Sequence, residues 1–477
     1  MNPALRTPVY FWGSVILLLT GIGAGILLNE PLWCLAPFAL ILSILLWERP
    51  ERSLFLLLFS IPFSTEYLFH ERLGTDLPDE PLMLITSFIF LAVWAHRPER
   101  LDRKTLTDPL LLLLGAVLAW SLITVLFSSH PVVSWKYLLA KSWYLGGFVL
   151  APLLCLNDRK SFERLFIPLL SAILIVTGIA LLRHALSGFR FAAINDAVSP
   201  FFRNHVNYAA LLVVAVPMLW AVHRAASHPG VRHLAVAGTI VVVVALYFSY
   251  SRGAWLAVVL GIIAGWLLQK KWLVHAYAIL VLLAFAAVFW LSRNDRYLNY
   301  AHDYRTTIFH ENFREHWIAT YRLRDVSTAE RFYRWIAGIR MIADRPLTGS
   351  GPATFSETYK GYTVPAYKTW VSENEDRSTV HNYPLLVATE QGLPGLALLL
   401  VCWGMLLYRA QRSFHRAQDR FGRTVSMATG MTLVMVFTVN CLSDLIETDK
   451  IGSIFFLCLA ILVAIERRQP SESSAHM

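Results

Sequence analysis

Long apolar runs alternate along the chain with short polar segments. A run of about 20 apolar residues matches the thickness of a bilayer core, where a helix satisfies its own backbone hydrogen bonds. The candidate spans are Val9–Leu28, Pro31–Trp47, Ser53–Phe69, Pro81–Ala95, Pro109–Phe127, Tyr137–Cys155, Phe162–Leu182, Asn204–Val222, His233–Tyr250, Ala254–Leu268, Trp272–Leu291, Tyr383–Tyr408, Val425–Cys441 and Ile451–Ile465. Several are short, and the third contains Pro62 and Glu66. The pattern predicts an all-α polytopic membrane protein with about 12–14 transmembrane helices.

The loops between these runs alternate in charge. Every second loop is rich in Lys and Arg, including 97–104, 159–164 and 409–423. The short loops between them, such as HERLGTDLPDE and DLIETDK, are acidic on balance. Because basic loops stay in the cytoplasm, this register predicts an inner-membrane protein with both termini cytoplasmic.

The same register predicts three regions. Residues 1–291 carry helices 1–11, residues 292–382 form one large periplasmic loop, and residues 383–477 carry helices 12–14 and a cytoplasmic tail. The loop is rich in aromatic residues, which is not the composition of a disordered linker. A capping box at 327–330 and apolar residues at helical spacing predict an amphipathic helix over Thr328–Asp344.

Composition agrees with a chain solvated mainly by lipid. Of its 477 residues, 56% are hydrophobic and 16% are charged, whereas a soluble domain has about 25% charged residues. The net charge of +10 resides in short loops, so it is a topology signal and no nucleic-acid partner is expected.

Ser251-Arg252-Gly253 is a very short connection between the ninth and tenth predicted spans. Arg252 is therefore expected at the membrane surface or slightly inside it, where a buried guanidinium needs an anionic partner. Two interpretations are open: an arginine that reaches to lipid headgroups, and a clamp that binds phosphate oxygens bidentately.

Arg331 and Arg334 are one turn apart on the predicted amphipathic helix and share a face. From the residues alone, the favoured interpretation is a solvated face or pairing with Glu330 and Asp344. The alternative is a second anion-binding position.

Ser378-Thr379-Val380-His381-Asn382 leads into the twelfth predicted span. Ser378 or Thr379 is expected to cap that helix, which would put His381 in its first turn at the outer membrane face. A helix N-terminus keeps the imidazole neutral, which is the form a general base needs. An interfacial histidine bonded to a neighbouring loop is an equally open interpretation.

The segment Phe202-Arg203-Asn204-His205 opens the eighth predicted span, and its polar cluster either binds sugar or, as we favour, caps the helix. We recognise no metal-ligand motif, glycine-rich phosphate loop or Ser-His-Asp signature. Any chemistry is therefore predicted to need neither a bound metal nor a cofactor.

Four segments in this order resemble the O-antigen ligase and O-antigen polymerase superfamily. They are FFRNHVNYAALL, YSRGAWLAVVLG, ERFYRWIAGIRMIADRPLTGSG and HNYPLLVATEQGLPGL, with RNHxN-like, SRGA, ERxxxW/DRPLxGxG and His-Asn/ExGxxGL patterns. The resemblance covers Phe201 to about Leu400, and the earlier spans match only in being hydrophobic.

The resemblance implies a glycan donor carried on undecaprenyl diphosphate, and an inverting, metal-independent transfer at the periplasmic face. It implies that Arg252 and Arg331 hold the diphosphate and that His381 is the essential histidine. Secondary candidates are Arg203, Asn204, Arg334 and Asn382.

The acceptor separates two members of the superfamily. A ligase transfers the glycan to lipid A-core, whereas a polymerase transfers it to the next lipid-linked repeat unit. The single long loop ending in a histidine favours a ligase, and the YTVPAYKTWVSENEDRSTV stretch keeps a polymerase or exopolysaccharide ligase open.

A transporter or lipid flippase would need polar groups near the bilayer midplane, where Lys141 and Glu390 are the main candidates. Clustering of polar residues at the outer face favours catalysis.

Overall fold

The computed structural model describes residues 46–70, 73–300, 326–365 and 378–468, with isolated positions between 13 and 42 and at 368 and 372. Its helices are α1 Pro50–Ser60, α2 Asp79–His96, α3 Arg103–Leu106, α4 Pro109–Leu126, α5 Pro131–Leu145, α6 Ala151–Cys155, α7 Arg159–Leu186, α8 Ile194–Val198, α9 His205–Ala225, α10 Pro229–Phe248, α11 Arg252–Gln269, α12 Leu273–Ser292, α13 Val326–Asp344, α14 Phe355–Thr358, α15 Tyr383–Arg416, α16 Arg420–Cys441 and α17 Asp449–Arg467. Two strands, β1 Thr65–His70 and β2 Leu73–Leu77, form an antiparallel hairpin.

Nine helices in the described ranges are long and apolar enough to cross a membrane. They are α4, α5 continued through a π-helical turn into α6, α7, α9, α10, α11, α12, α15 and α16. This confirms the predicted all-α polytopic membrane protein. The first predicted span lies partly outside the described residues and the second almost entirely, and α2 and α17 contain two further predicted spans.

The third predicted span, Ser53–Phe69, is wrong beyond Ser60. Helix α1 ends there, a 3₁₀ turn follows at Ile61–Phe63, and the chain then enters β1. Pro62 has no backbone N–H to continue the helical ladder, and Thr65 instead pairs with Leu77 across the hairpin.

The centre of the bundle is built on α16 and α17. All residues from Ile451 to Ile465 in α17 are buried. Helix α11 packs closely on α16 because Gly265 faces Met427 and Met431, where a Cβ would find side-chain atoms at 3.0 and 3.2 Å. By contrast, α12 buries only Leu273 and exposes apolar side chains along its length, as expected of a lipid-facing helix.

The predicted basic loops meet at one end of the bundle. Arg409 of α15 forms ion pairs with Asp108 at 2.8 Å and with Glu466. Arg159 donates to the carbonyl of Ala225 at 2.7 Å. These contacts join the starts of α4 and α7 to the ends of α9, α15 and α17. The opposite end carries the hairpin, α13 and the segment that precedes α15.

Helix α13 confirms the predicted amphipathic helix and ends at Asp344, as predicted. The side chains of Ser327 and Thr328, on which the predicted capping box depends, lie outside the described residues. The turn that follows α13 is docked into a break in α15.

The break in α15 is at Gly392, whose φ is +73°. A Cβ there would overlap the carbonyl oxygen of Leu347, so the position needs glycine. The carboxylate of Glu390 accepts hydrogen bonds from the backbone N–H groups of Ala353 at 2.8 Å and Phe355 at 3.0 Å. Glu390 therefore ties the turn after α13 to α15, which gives this mid-span charge a structural role and fixes α13 beside the start of α15.

Candidate active site

One face of α13 packs against the residues that precede α15. Trp335 Nε1 donates to the carbonyl of Val380 at 3.0 Å, and Arg334 Nη1 donates to the carbonyl of Thr379 at 3.0 Å. Arg334 Nη2 also lies 3.3 Å from Glu330 Oε2, and both side chains are almost fully buried. The pairing with Glu330 that the sequence favoured is present, but the guanidinium also holds the segment that carries His381.

Asn382 begins α15. Its side-chain oxygen accepts from the backbone N–H of Leu385 at 3.0 Å, and helix geometry begins at Tyr383. The prediction that Ser378 or Thr379 caps this helix, with His381 in its first turn, is therefore wrong. Asparagine is as strong a cap as serine, and the proline that follows Tyr383 suits a helix start.

His381 thus lies just outside the helix, with a left-handed backbone at φ +54°. This conformation is uncommon for a residue other than glycine and requires support from its surroundings. The support comes from both sides of the residue. Trp335 binds the carbonyl of Val380, and Asn382 Nδ2 donates to the carbonyl of Cys441 at 2.9 Å.

The imidazole of His381 lies between a guanidinium and a carboxylate. Its Nε2 is 3.1 Å from Arg334 Nη1, and its Nδ1 is 3.8 Å from Asp444 Oδ1. The hydroxyl of Thr379 donates to the other oxygen of Asp444. The His381 side chain is 35% exposed, so a substrate can reach it.

Asp444 was not among the residues singled out by the sequence. It lies in the loop DLIETDK between α16 and α17, which appeared only as an acidic loop of the outer set. No local motif links position 444 to position 381. Only the fold, which brings the end of α16 against the start of α15, reveals this carboxylate.

Electrostatics keep His381 neutral. Burial lowers its pKa well below the ordinary value of 6.5, and the charges of Arg334, Arg331 and Arg203 lower it further. Burial raises the pKa of Asp444, while the hydrogen bond from Thr379 and the charge of Arg334 act in the opposite direction. The neutral imidazole expected from the sequence is therefore supported, with burial and arginines as the main causes.

Arg203 and Arg331 also belong to this end of the bundle, since both charges act on His381. Arg331 is half-buried on α13, and Arg203 is exposed just before α9. Asn204 caps α9 by accepting from the backbone N–H groups of Val206 at 3.0 Å and Asn207 at 3.1 Å. The favoured capping role of Asn204 is confirmed.

Arg252 is the first residue of α11 and is half-buried. Tyr250, two residues earlier, has φ +56°, which turns the chain sharply between α10 and α11. A Cβ on Gly253 would lie 3.0 Å from Leu442 Cδ1. Since Leu442 is two residues before Asp444, Arg252 lies beside the segment that supplies the carboxylate.

These groups provide two chemical capacities at one end of the bundle. A neutral imidazole can accept a proton when its basic nitrogen is free, and guanidiniums around it can bind phosphate oxygens. Among the residues that the structure describes, no group of three or more His, Cys, Asp or Glu side chains is arranged to hold a metal ion.

Fold and site together define a polytopic membrane protein with a neutral imidazole and arginines at one end of its helices. A family model described as O-antigen ligase matches residues 237–400, a segment that contains Arg252, Arg331, Arg334 and His381. The match confirms the resemblance to the O-antigen ligase and O-antigen polymerase superfamily. It supports a membrane glycosyltransferase of the ligase or polymerase type that acts on lipid-linked glycans. Comparison with curated proteins finds no match.

Proposed function

We propose that this protein is an inverting glycosyltransferase that moves a glycan from undecaprenyl diphosphate to an acceptor hydroxyl at the periplasmic face of the inner membrane. The observation that carries the proposal is the neutral imidazole of His381 beside the arginines of α13, inside the segment that matches the O-antigen ligase family. A lipid-linked diphosphate donor needs cationic groups at the membrane face, and its transfer needs a base there.

The reaction is a single displacement at the anomeric carbon. The acceptor oxygen forms a bond to that carbon while its proton passes to His381. The bond from the anomeric carbon to the phosphate oxygen breaks, and its electron pair leaves with the diphosphate. Arg331 and Arg252 stabilise the charge that builds on this leaving group. One displacement inverts the anomeric configuration.

The periplasmic orientation is supported by the distribution of charge along the bundle. The contacts of Arg409 and Arg159 show that basic loops lie at the end of the helical bundle opposite His381. Basic loops favour the cytoplasm, so His381 is expected to face the periplasm and both termini the cytoplasm.

We propose lipid A-core as the acceptor, which makes the protein an O-antigen ligase. A polymerase would use the same donor chemistry with a second lipid-linked repeat unit as acceptor. The deciding experiment incubates the purified protein with a lipid-linked glycan and each acceptor in turn. Glycosylated lipid A-core supports the ligase, and an elongated lipid-linked chain identifies a polymerase. Movement of the intact donor across vesicles without transfer would favour a flippase and overturn the proposal.

A further inference from the structure

The hydrogen bond between Arg334 and His381 fixes which ring nitrogen carries the proton. A guanidinium can only donate, so Nε2 of His381 accepts from Arg334 Nη1 at 3.1 Å. In the neutral imidazole the proton is then on Nδ1, the nitrogen that faces Asp444 at 3.8 Å. The nitrogen with the basic lone pair is therefore already occupied.

A base whose lone pair is occupied cannot take a proton from an acceptor hydroxyl. Nδ1 offers no substitute, because it carries the proton and faces the Asp444 carboxylate. The positive charges of Arg203, Arg331 and Arg334 also oppose protonation of the ring. In the absence of donor, His381 therefore has its basic lone pair on Nε2, but Arg334 occupies that lone pair.

At Nη1, Arg334 donates to neutral acceptors, with which an anion can compete. Nη1 binds a neutral carbonyl and a neutral imidazole, and Nη2 pairs with Glu330 at 3.3 Å. Hydrogen bonds between guanidinium and phosphate are charge-assisted and stronger than those to neutral acceptors. Arg331, one position after Glu330 on the same helix, is a proposed diphosphate ligand, so the anion would arrive next to Arg334.

We propose that Arg334 blocks His381 until the donor binds, and that the donor diphosphate draws the Arg334 guanidinium away and so frees Nε2 to act as the base. The inference rests on the proposed function, since it requires a diphosphate at Arg331. Once Arg334 has moved away from Nε2, the proton of the acceptor hydroxyl passes to Nε2. The Nδ1–H of the resulting imidazolium then faces Asp444. Base activation is thereby coupled to the presence of the donor, with Arg334 as a positioning residue.

The test measures carbethoxylation of His381 by diethyl pyrocarbonate, followed by peptide mass spectrometry, because this reaction needs a free imidazole lone pair. The probe is farnesyl diphosphate, with farnesol as the control without phosphate. We expect farnesyl diphosphate to accelerate modification of His381 in the full-length protein by about tenfold or more, and farnesol to have no effect. Binding of the probe is measured in parallel by calorimetry.

Two variants separate unblocking from other effects of the ligand. Arg334→Gln should react fast without any ligand and should gain nothing from farnesyl diphosphate. Arg340→Gln, on the exposed side of the same helix, should behave like the wild type. If farnesyl diphosphate binds the wild type without accelerating modification, the blocking role is overturned while the donor site stands. If it does not bind at all, both the donor site and this inference fail.

Discussion

Asp444→Asn tests the carboxylate that the fold brings to His381. The substitution keeps the shape of the side chain and an oxygen that can accept from Thr379, but it removes the negative charge. Proton transfer creates an imidazolium whose Nδ1 is 3.8 Å from Asp444. At that distance the attraction is about 4 kcal/mol at an effective dielectric constant of about 20 and about 1 kcal/mol in bulk water.

Since His381 is partly exposed, we expect a loss of about 1.5–3 kcal/mol, which corresponds to a roughly 10- to 100-fold slower transfer. The assay is single-turnover transfer with donor well below saturation, measured as a function of pH, so that the acid limb reports the pKa of His381 in the donor-free protein. Because the pKa of His381 is already depressed, the wild-type rate should hold through pH 6.5 and fall only in more acidic solution. In Asp444→Asn, the acid limb should move to still lower pH, because the imidazolium has lost its counter-charge.

The matched control is Asp344→Asn, which removes an exposed carboxylate at the end of α13 that accepts from the Tyr362 hydroxyl at 2.6 Å. It should leave both the rate and the acid limb unchanged. A wild-type rate and an unchanged acid limb in Asp444→Asn would show that Asp444 does not stabilise the imidazolium of His381.

Three further predictions concern the arginines, metal and topology. Arg252→Lys and Arg331→Lys should each lose most transfer activity while the protein still folds, because an ammonium lacks the planar fork, whereas Arg340→Lys should stay near the wild-type rate. Transfer should survive EDTA; activity that disappears on chelation and returns with magnesium would contradict the leaving-group role of the arginines. Cysteines at the exposed positions Glu357 and Lys271 should be labelled from outside only at 357, and the reverse result would invert the proposed orientation.

The spans were predictable because apolar length is a strong signal. The hairpin was harder to predict, because its first strand, TEYLFH, continues an apolar run that is interrupted only by Pro62 and Glu66. The break at Gly392 was not predicted either, because an isolated glycine in an apolar run also fits a continuous helix. Its need for a positive φ becomes visible only when the turn carrying Leu347 is docked against it.

At the site, the sequence predicted the chemistry of His381 better than its position. A cap was expected at Ser378 or Thr379, but Asn382 is an equally good cap and begins the helix. Arg334 was only a secondary candidate, because helical spacing does not show which of two arginines one turn apart contacts a distant segment of the chain. Asp444 depends on contacts between residues more than sixty positions apart, and no local pattern records them.

Donor binding and transfer, measured together in the wild type and in His381→Ala, show whether His381 is the base of the reaction. With a lipid-linked glycan and lipid A-core, the wild type should form glycosylated lipid A-core and release undecaprenyl diphosphate. His381→Ala should bind the donor as tightly but transfer about 10²- to 10⁴-fold more slowly, and His381→Gln should not restore the rate. Full transfer activity in His381→Ala, or loss of donor binding in that variant, would contradict a role for His381 as the base.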